Sequence, residues 1–498
     1  MTLFATLVDA SADVAATSSR KDKSARLAEL LRLVESDEVE VAVGFLIGAP
    51  RQGRIGVGFE TLRGISGGST ADEVLGVLDV DRLLDELGEL SGQGSQSRRR
   101  DLLESAFALT TGPEREFLTR LLIGEVRQGA LDGVMIEAIA KAAKVKAATV
   151  RRANMLRGDL RIVGAVAMTE GAEGLERFRL EVGRPLEPML AKTSESVAAA
   201  LEGQNGQMAV EWKLDGARVQ VHRRGDEVSI FTRNLRDVTA GLPEVVEAVR
   251  GLPVDSVLLD GEVIALDEAG RPLPFQDTMS RFGSGRERQH PTPLTAFFFD
   301  ILHLDGVDLI DEPGSVRIEA LGRALDGRHE VPRLITDDPE AAAAFAAEAL
   351  ATGHEGVMAK GLTSPYQVGR RGAAWSKVKP IHTLDLVVLA AEWGHGRRTG
   401  KLSNLHLGAL ESLTGEFVML GKTFKGLTDE MLDWQTERFL DLQTRREGHI
   451  VHVRPEQVVE VAFDGVQASR KYPAGMALRF ARVKGYREDK SAQAADTI

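Results

Sequence analysis

A proline-punctuated stretch, Gly183-Arg184-Pro185-Leu186-Glu187-Pro188-Met189, divides the chain into segments whose residue patterns cannot share one packing scheme. Before it the chain is rich in alanine and leucine and follows helical spacing. Leu118, Leu121, Leu122 and Val126 repeat with that period after Thr111, Gly112, Pro113 and Glu114, a helix-start signal, and Ile139, Ala142 and Ala143 continue a similar face. These stripes read as core. Residues 66–97, with their Gly/Ser runs, are the most loop-like part of this segment. After the boundary come short alternating runs predicted as strands over 217–223, 228–232, 257–266, 295–303, 355–360 and 375–378, with a helix starting at Pro339. From about residue 382 the pattern changes again, to strand-rich sequence with glycine turns at Leu384–Leu389, Phe417–Gly421 and Val458–Phe463, which suits a small β-barrel. With 498 residues the chain is too long for a single core. The reading is multidomain: an all-α unit over 1–182, an α/β unit over 183–380 and a β-barrel over 381–498.

Composition narrows the chemistry. No run of about 18 apolar residues is present and the N-terminus lacks the basic start of a signal peptide, so a cytoplasmic protein with no membrane association is expected. With no cysteine there are no disulfides or thiolate zinc sites, and the ten histidines include no H-E-x-x-H pair. A metal would be held by oxygen, which favours magnesium. The net charge of −12 conceals basic clusters at Arg98–Arg100, at Arg151, Arg152 and Arg157, at Arg370, Arg371, Lys377 and Lys379, at Arg397, Arg398 and Lys401, and between Arg470 and Lys490. Together they can hold phosphates of a nucleic acid, although any one of them alone reads as a solvated face.

The chemistry centres on Glu211-Trp212-Lys213-Leu214-Asp215-Gly216-Ala217-Arg218. Alternating flanks place Lys213 at a strand end beside a glycine turn. A lysine attacks phosphorus only as the free amine, so it needs burial or cationic neighbours to lose its proton. Alone, K-x-D-G reads as a hairpin turn with a solvated lysine. Five further segments follow in order: Thr232–Leu235, Leu259–Glu262, Phe297–Leu302, Glu355–Lys360 and Trp375–Lys379. Leu478–Arg482 and Arg487–Lys490 close the series.

The ordered set resembles the covalent nucleotidyltransferases, and specifically the ATP-dependent DNA ligases. The resemblance spans the whole chain, because the first third is similar to the DNA-binding domain of bacterial and archaeal three-domain ligases. It implies an all-α DNA-binding domain, an α/β nucleotidyltransferase (adenylation) domain and an OB-fold domain, acting as a monomer on nicked duplex DNA with ATP and Mg2+. It further implies that Lys213 is the nucleophile, Glu211 helps select adenine and Phe299 stacks on the base. Alternation puts Phe298 in the core, with Phe297 and Phe299 on the other face. Arg218 and Arg233 are expected at ribose or phosphate, Glu262 and Glu355 near ribose and magnesium, and Lys377 and Lys379 at the α-phosphate, helping to keep Lys213 neutral. Arg487, Asp489 and Lys490 are expected to orient pyrophosphate. Many relatives carry proline where this chain has Ala481, a local departure.

Two other motifs fail on spacing. A phosphate loop ending at Gly421, Lys422 and Thr423 would need its first glycine at Glu416, so this segment reads as a barrel strand with a DNA-facing lysine. The Gly283–Arg286 stretch lacks the third glycine of a dinucleotide fingerprint and reads as a basic loop. Among other functions, capping guanylyltransferases and RNA ligases are disfavoured by the long helical first third, and NAD-dependent ligases by the missing cysteines. A catalytically dead DNA clamp is disfavoured by the intact lysine and carboxylates.

Overall fold

The computed structural model describes the chain except residues 54, 59–60, 63–64, 66–71, 73, 93, 127–131, 203–205, 280, 283–292 and 370, and the side chain of Arg371. The expected basic loop at Gly283–Arg286 lies outside the described residues, as does Arg370.

In the first third, the described helices are α1 (Phe4–Ala16), α2 (Arg20–Leu33), α3 (Val39–Ile47), α4 (Val77–Glu89), α5 (Ser95–Ala108), α6 (Gly112–Leu122), α7 (Asp132–Ala143), α8 (Ala147–Arg157) and α9 (Leu160–Glu176). The start of α6 follows from its residues. The Glu114 N–H donates to Thr111 Oγ1 at 3.4 Å and the Thr111 N–H to Glu114 Oε2 at 2.8 Å, a reciprocal cap with Pro113 in the first turn. Phe117, Leu118, Leu121 and Leu122 then fall on its buried face. They join one apolar cluster reaching from Phe4 to Leu175. Helix α4 corrects the loop-like reading of 66–97. Val77, Val80, Leu84 and Leu87 are buried at helical spacing, and the Gly76 N–H donates to Asp79 Oδ2 at 2.7 Å to start the helix. The Gly/Ser content of the flanks had masked that period.

The middle third holds two sheets. Its strands are β1 (Leu190–Thr193), β2 (Met208–Lys213), β3 (Ala217–Arg224), β4 (Glu227–Thr232), β5 (Ser256–Ala265), β6 (Leu294–Leu304), β7 (Val307–Asp308), β8 (Arg333–Thr336), β9 (Gly356–Gly361) and β10 (Arg371–Val378). Its helices are α10 (Val197–Glu202), α11 (Pro243–Arg250), α12 (Phe275–Met279), α13 (Gly314–Leu325) and α14 (Pro339–Ala351). One sheet has the order β1-β10-β9-β2-β8 and the other β4-β3-β5-β6-β7. Val210, Val357 and Ala359 turn one face of the first sheet onto Ala342 and Ala349 of α14. Val219, Val221, Leu259 and Phe298 turn one face of the second onto α11 and α13. Each sheet therefore has its other face left over, and those two faces meet.

The last third is a seven-stranded antiparallel sheet of β11 (His382–Trp393), β12 (Leu402–Leu410), β13 (Phe417–Thr423), β14 (Gln443–Glu447), β15 (Ile450–Val453), β16 (Val458–Phe463) and β19 (Arg482–Arg487). Helix α15 (Asp429–Asp441) closes its core with Leu432 and Phe439, and β17 (Gly465–Ala468) and β18 (Met476–Arg479) form a separate ribbon. Gly421, Lys422 and Thr423 end strand β13, so they do not form the loop-to-helix turn that a phosphate loop requires. No described helix is long and apolar enough to cross a membrane.

Candidate active site

Strand register builds the site. Directly paired residues of an antiparallel sheet project to the same side. Lys213 pairs with Gly356, Glu211 with Met358, Met358 with Lys377 and Lys360 with Trp375. Glu211, Lys213, Lys360, Trp375 and Lys377 therefore share the face opposite α14. From the second sheet, Arg218 pairs with Glu262 beside Asp260, and the Phe299 ring meets Trp375 edge-on with centroids 6.1 Å apart. The result is a cleft between two sheets, lined from both sides by residues singled out in the sequence.

Two glycines permit this closeness. A Cβ on Gly216 would lie 2.3 Å from the Val263 carbonyl oxygen, and one on Gly356 would lie 2.3 Å from that of Val378. Gly356 also has φ +134°, which a residue with a side chain rarely adopts. The first glycine lets the turn after Lys213 press on β5, and the second lets the turn after Glu355 press on β10.

The Lys213 Nζ forms an ion pair with Glu355 Oε2, and the Glu355 N–H donates to the Lys213 carbonyl at 3.0 Å. The immediate partner of the lysine is thus an anion, whereas the sequence argument looked for cations. The Glu262 carboxylate accepts no hydrogen bond among the described residues. Burial pushes its carboxyl up to about 7, with Lys213 and Arg218 pulling the other way. Arg218 is held bidentately by Asp260 at 2.9 and 2.6 Å, donates to the Met189 carbonyl at 2.7 Å, and lies 5.5 Å from the Phe299 ring centre. Burial opposes its charge, but Asp260 and Tyr366 outweigh it and raise its pKa above the ordinary arginine value.

The other expected residues divide into those in the cleft and those outside it. Phe298 is 1% exposed in the core while Phe299 faces the cleft, as alternation requires. Glu211 is buried between Arg333 Nε at 2.7 Å and Lys360 Nζ at 2.6 Å. Lys379, just past β10, pairs with Asp464, between β16 and β17 of the C-terminal unit, which also takes Arg482 at 3.2 Å. Arg233 is exposed in the turn after β4 and has no ion pair among the described residues. Arg487 and Lys490 gather on Asp385, with Arg487 also on Asp489 at 2.7 Å, so this trio bonds within its own unit. Of the basic clusters, Arg98 and Arg100 are exposed, Arg151 pairs with Glu137, and Arg152 reaches Asp311 of the middle third at 2.6 Å. Lys422, expected to face DNA, pairs with Glu392.

Comparison with known proteins gives this geometry a lineage. Three family models match in order: DNA ligase N terminus over residues 63–140, ATP dependent DNA ligase domain over 188–379, and ATP dependent DNA ligase C terminal region over 398–490. A probable DNA ligase of Mycolicibacterium gilvum (strain PYR-GCK) is 56% identical over 500 residues, covering 100% of this chain and 98% of its own. The chain belongs to the ATP-dependent DNA ligases. A probable DNA ligase of Rhodococcus opacus (strain B4) is 54% identical, again over 100% of this chain and 98% of the relative. The solved structure Pmar-Lig_PreS3 shares the fold across 97% of the ligase and 99% of itself, with TM-score 0.63 at 19% identity.

Several residues that hold the ligase's candidate site residues escaped the sequence reading. Asp260, which grips Arg218 in the cleft, lies inside a quoted motif, and Asp385, which gathers Arg487 and Lys490 in the C-terminal unit, interrupts an apolar strand run, so both carried a signal. Tyr366, which donates to Asp260 Oδ2 at 2.6 Å and accepts from the Met189 N–H, and Arg333, in a four-residue strand, carried none. For a metal, no group of three or more acidic or histidine side chains gathers among the described residues. Glu262 and Glu355 nonetheless fit magnesium in its usual manner, in which one or two carboxylates share the ion with substrate phosphates and water. The unbonded, charge-averse carboxyl of Glu262 is the observation that suits it to a cation.

Proposed function

We propose that this ligase seals 5′-phosphate, 3′-hydroxyl nicks in duplex DNA through a covalent Lys213–AMP intermediate. What carries the reading is Lys213 at a strand end, ion-paired to Glu355 in a cleft walled by Phe299 and Glu262. Lys213 Nζ, having given up a proton, attacks the α-phosphorus of ATP; an N–P bond forms and the bond to pyrophosphate breaks. Its pair with Glu355 has to open first. The AMP then passes to the DNA 5′-phosphate, restoring the amine, and attack by the 3′-hydroxyl expels AMP and closes the backbone. Magnesium, held by Glu262 and Glu355 with the nucleotide, would neutralise phosphate charge. Phe299 offers the base a stacking face, Arg218 and Arg233 bind ribose or phosphate, and Lys377 stabilises charge at the α-phosphate. Lys379 joins it there once released from Asp464. Arg487, Asp489 and Lys490 orient pyrophosphate when the C-terminal unit turns them to the cleft.

Within this reading the chain divides into a DNA-binding domain (1–182), an adenylation domain (183–380) and an OB-type domain (381–498). Incubation with ATP and magnesium should yield a species heavier by one AMP, mapped to Lys213, and Lys213→Ala should abolish it. An adduct on Lys360 or Lys377 would overturn the assignment. Labelling by GTP in preference to ATP would favour a capping-type enzyme.

A further inference from the structure

Beneath the cleft lies a buried charge cluster that the reaction itself does not use. Glu211 stands two residues before Lys213 on β2, and the strands on either side supply its partners, Arg333 from β8 and Lys360 from β9. Both cations also reach across to the second sheet. Lys360 Nζ donates to the Phe299 carbonyl at 3.0 Å and Arg333 Nη2 to the same oxygen at 3.5 Å. Lys360 Nζ also lies 4.3 Å from the Phe299 ring centre. Glu330 at the rim takes the remaining arm of Arg333 and balances the charge. The side chains of Glu211, Arg333 and Lys360 are 2%, 7% and 6% exposed. This cluster therefore ties the strand of the nucleophile to the strand of Phe299.

We propose that Arg333 is a positioning residue for nucleotide selection, acting through Glu211. The proposal rests on the nucleotide reading above, in which a purine stacks on Phe299. A base on that ring presents its edge toward Glu211. An ionised carboxylate only accepts hydrogen bonds, so it suits an exocyclic amino group and repels a 6-oxo group. Two cations, one on each oxygen, hold the carboxylate in one orientation. Without Arg333 it loses one of its two anchors and can rotate away from the base edge, so it no longer favours the amino group or repels a 6-oxo group. Lys360 alone cannot prevent this, because it holds only Oε2 and leaves Oε1 free to swing about that single contact.

The test uses the full chain and measures the rate of Lys213 labelling against ATP and GTP concentration for wild type, Arg333→Gln and Arg333→Lys. The expected result for Arg333→Gln is a KM for ATP raised about tenfold, the size of one lost charge-assisted hydrogen bond, with kcat changed less and the preference for ATP over GTP reduced. Arg333→Lys should recover most of the preference, because it keeps the charge beside Glu211. If Arg333→Gln does not fold, Glu330→Gln at the rim removes the outer support of Arg333 and should shift the ratio in the same direction by about threefold. A loss of thermal stability with an unchanged ATP-to-GTP ratio would make Arg333 merely structural and overturn the proposal. Equal use of ATP and GTP by the wild type would overturn the nucleotide reading itself.

Discussion

One ion pair holds the C-terminal unit of the ligase against Asp215, the carboxylate two residues after Lys213. Arg479 on β18 meets Asp215 through two contacts, at 2.6 and 3.3 Å, and its guanidinium lies 4.4 Å from the Phe275 ring centre. Side-chain exposures of 15% and 26% place the pair between a surface and a buried bridge. A two-contact, partly screened pair with a cation–π contact is worth about 2–3 kcal/mol, so Arg479→Ala should weaken docking by roughly 30- to 150-fold. The Lys379–Asp464 pair and the Gln276 side chain donating to the Ala468 carbonyl at 2.8 Å remain, so release is partial. Because the chain has no cysteine, a dye pair can be placed cleanly at Leu413→Cys and Val307→Cys, which are 96% and 59% exposed on the C-terminal and middle units. Single-molecule energy transfer should give one narrow population in the wild-type background and a broadened or second population with Arg479→Ala. Asp215→Asn should do the same, and combining the two should add little, since both remove the same bridge. Self-adenylylation should not slow in Arg479→Ala, because Arg487 and Lys490 bond to Asp385 within the C-terminal unit and owe nothing of that pairing to the Asp215 contact. An unchanged distribution in both single variants, or fully additive effects, would refute the reasoning.

Three further outcomes are expected. In single-turnover sealing of a pre-adenylylated nick, Glu355→Ala should fail whereas Arg487→Ala should succeed after losing self-adenylylation; equal defects in sealing would mean that the C-terminal residues serve every step. Arg98→Ala with Arg100→Ala should lower the salt dependence of DNA binding by about one to two in log–log slope and leave Lys213 labelling intact, and an unchanged slope would remove these arginines from the DNA contact. Glu262 carries a pKa raised from 4.5 to about 7, so its contribution to stability is complete below about pH 4.5 and is lost as pH rises through 7. Glu262→Gln should therefore stabilise the metal-free protein relative to wild type at pH 8, by an amount on the order of 3 kcal/mol that fades toward pH 4.5, and a pH-independent difference in denaturation midpoints would contradict the cause assigned.

What the sequence disclosed and what it concealed follow from the range of the interactions. The grouping of Lys213, Glu262 and Glu355 was legible because their segments, weak singly, follow one another in an order that resembles a known family, and Phe298 and Phe299 were legible because alternation along one strand is local. Partnerships were not legible. Glu355 lies 142 residues from Lys213, Arg333 lies 122 from Glu211 and Arg479 lies 264 from Asp215, and only the sheet order brings them together. The same limit explains the expected cationic surroundings of Lys213. Spacing places lysines near one another along strands but cannot tell which carboxylate will reach the amine first. Helix α4 was hidden for a different reason: its period is clear, but it stands between Gly/Ser segments whose composition dominated the reading.

The pairings share a pattern that bears on how the ligase works. Five of the cations proposed to meet the nucleotide are engaged with the chain's own carboxylates: Lys213 with Glu355, Arg218 with Asp260, Lys379 with Asp464, and Arg487 and Lys490 with Asp385, whereas Arg233 forms no ion pair among the described residues. Binding ATP is then an exchange of partners, and its free energy is the difference between phosphate and carboxylate contacts, not their sum. The exchange has a structural consequence at two of these sites. Lys379 cannot turn to a phosphate without loosening its tie to the C-terminal unit, and Arg487 cannot leave Asp385 for the cleft unless that unit moves as a body. On the proposed roles, nucleotide binding and release of the docked arrangement would be coupled through the same charges, so weakening Asp215–Arg479 should ease the exchange at Lys379 even though neither Asp215 nor Arg479 touches it.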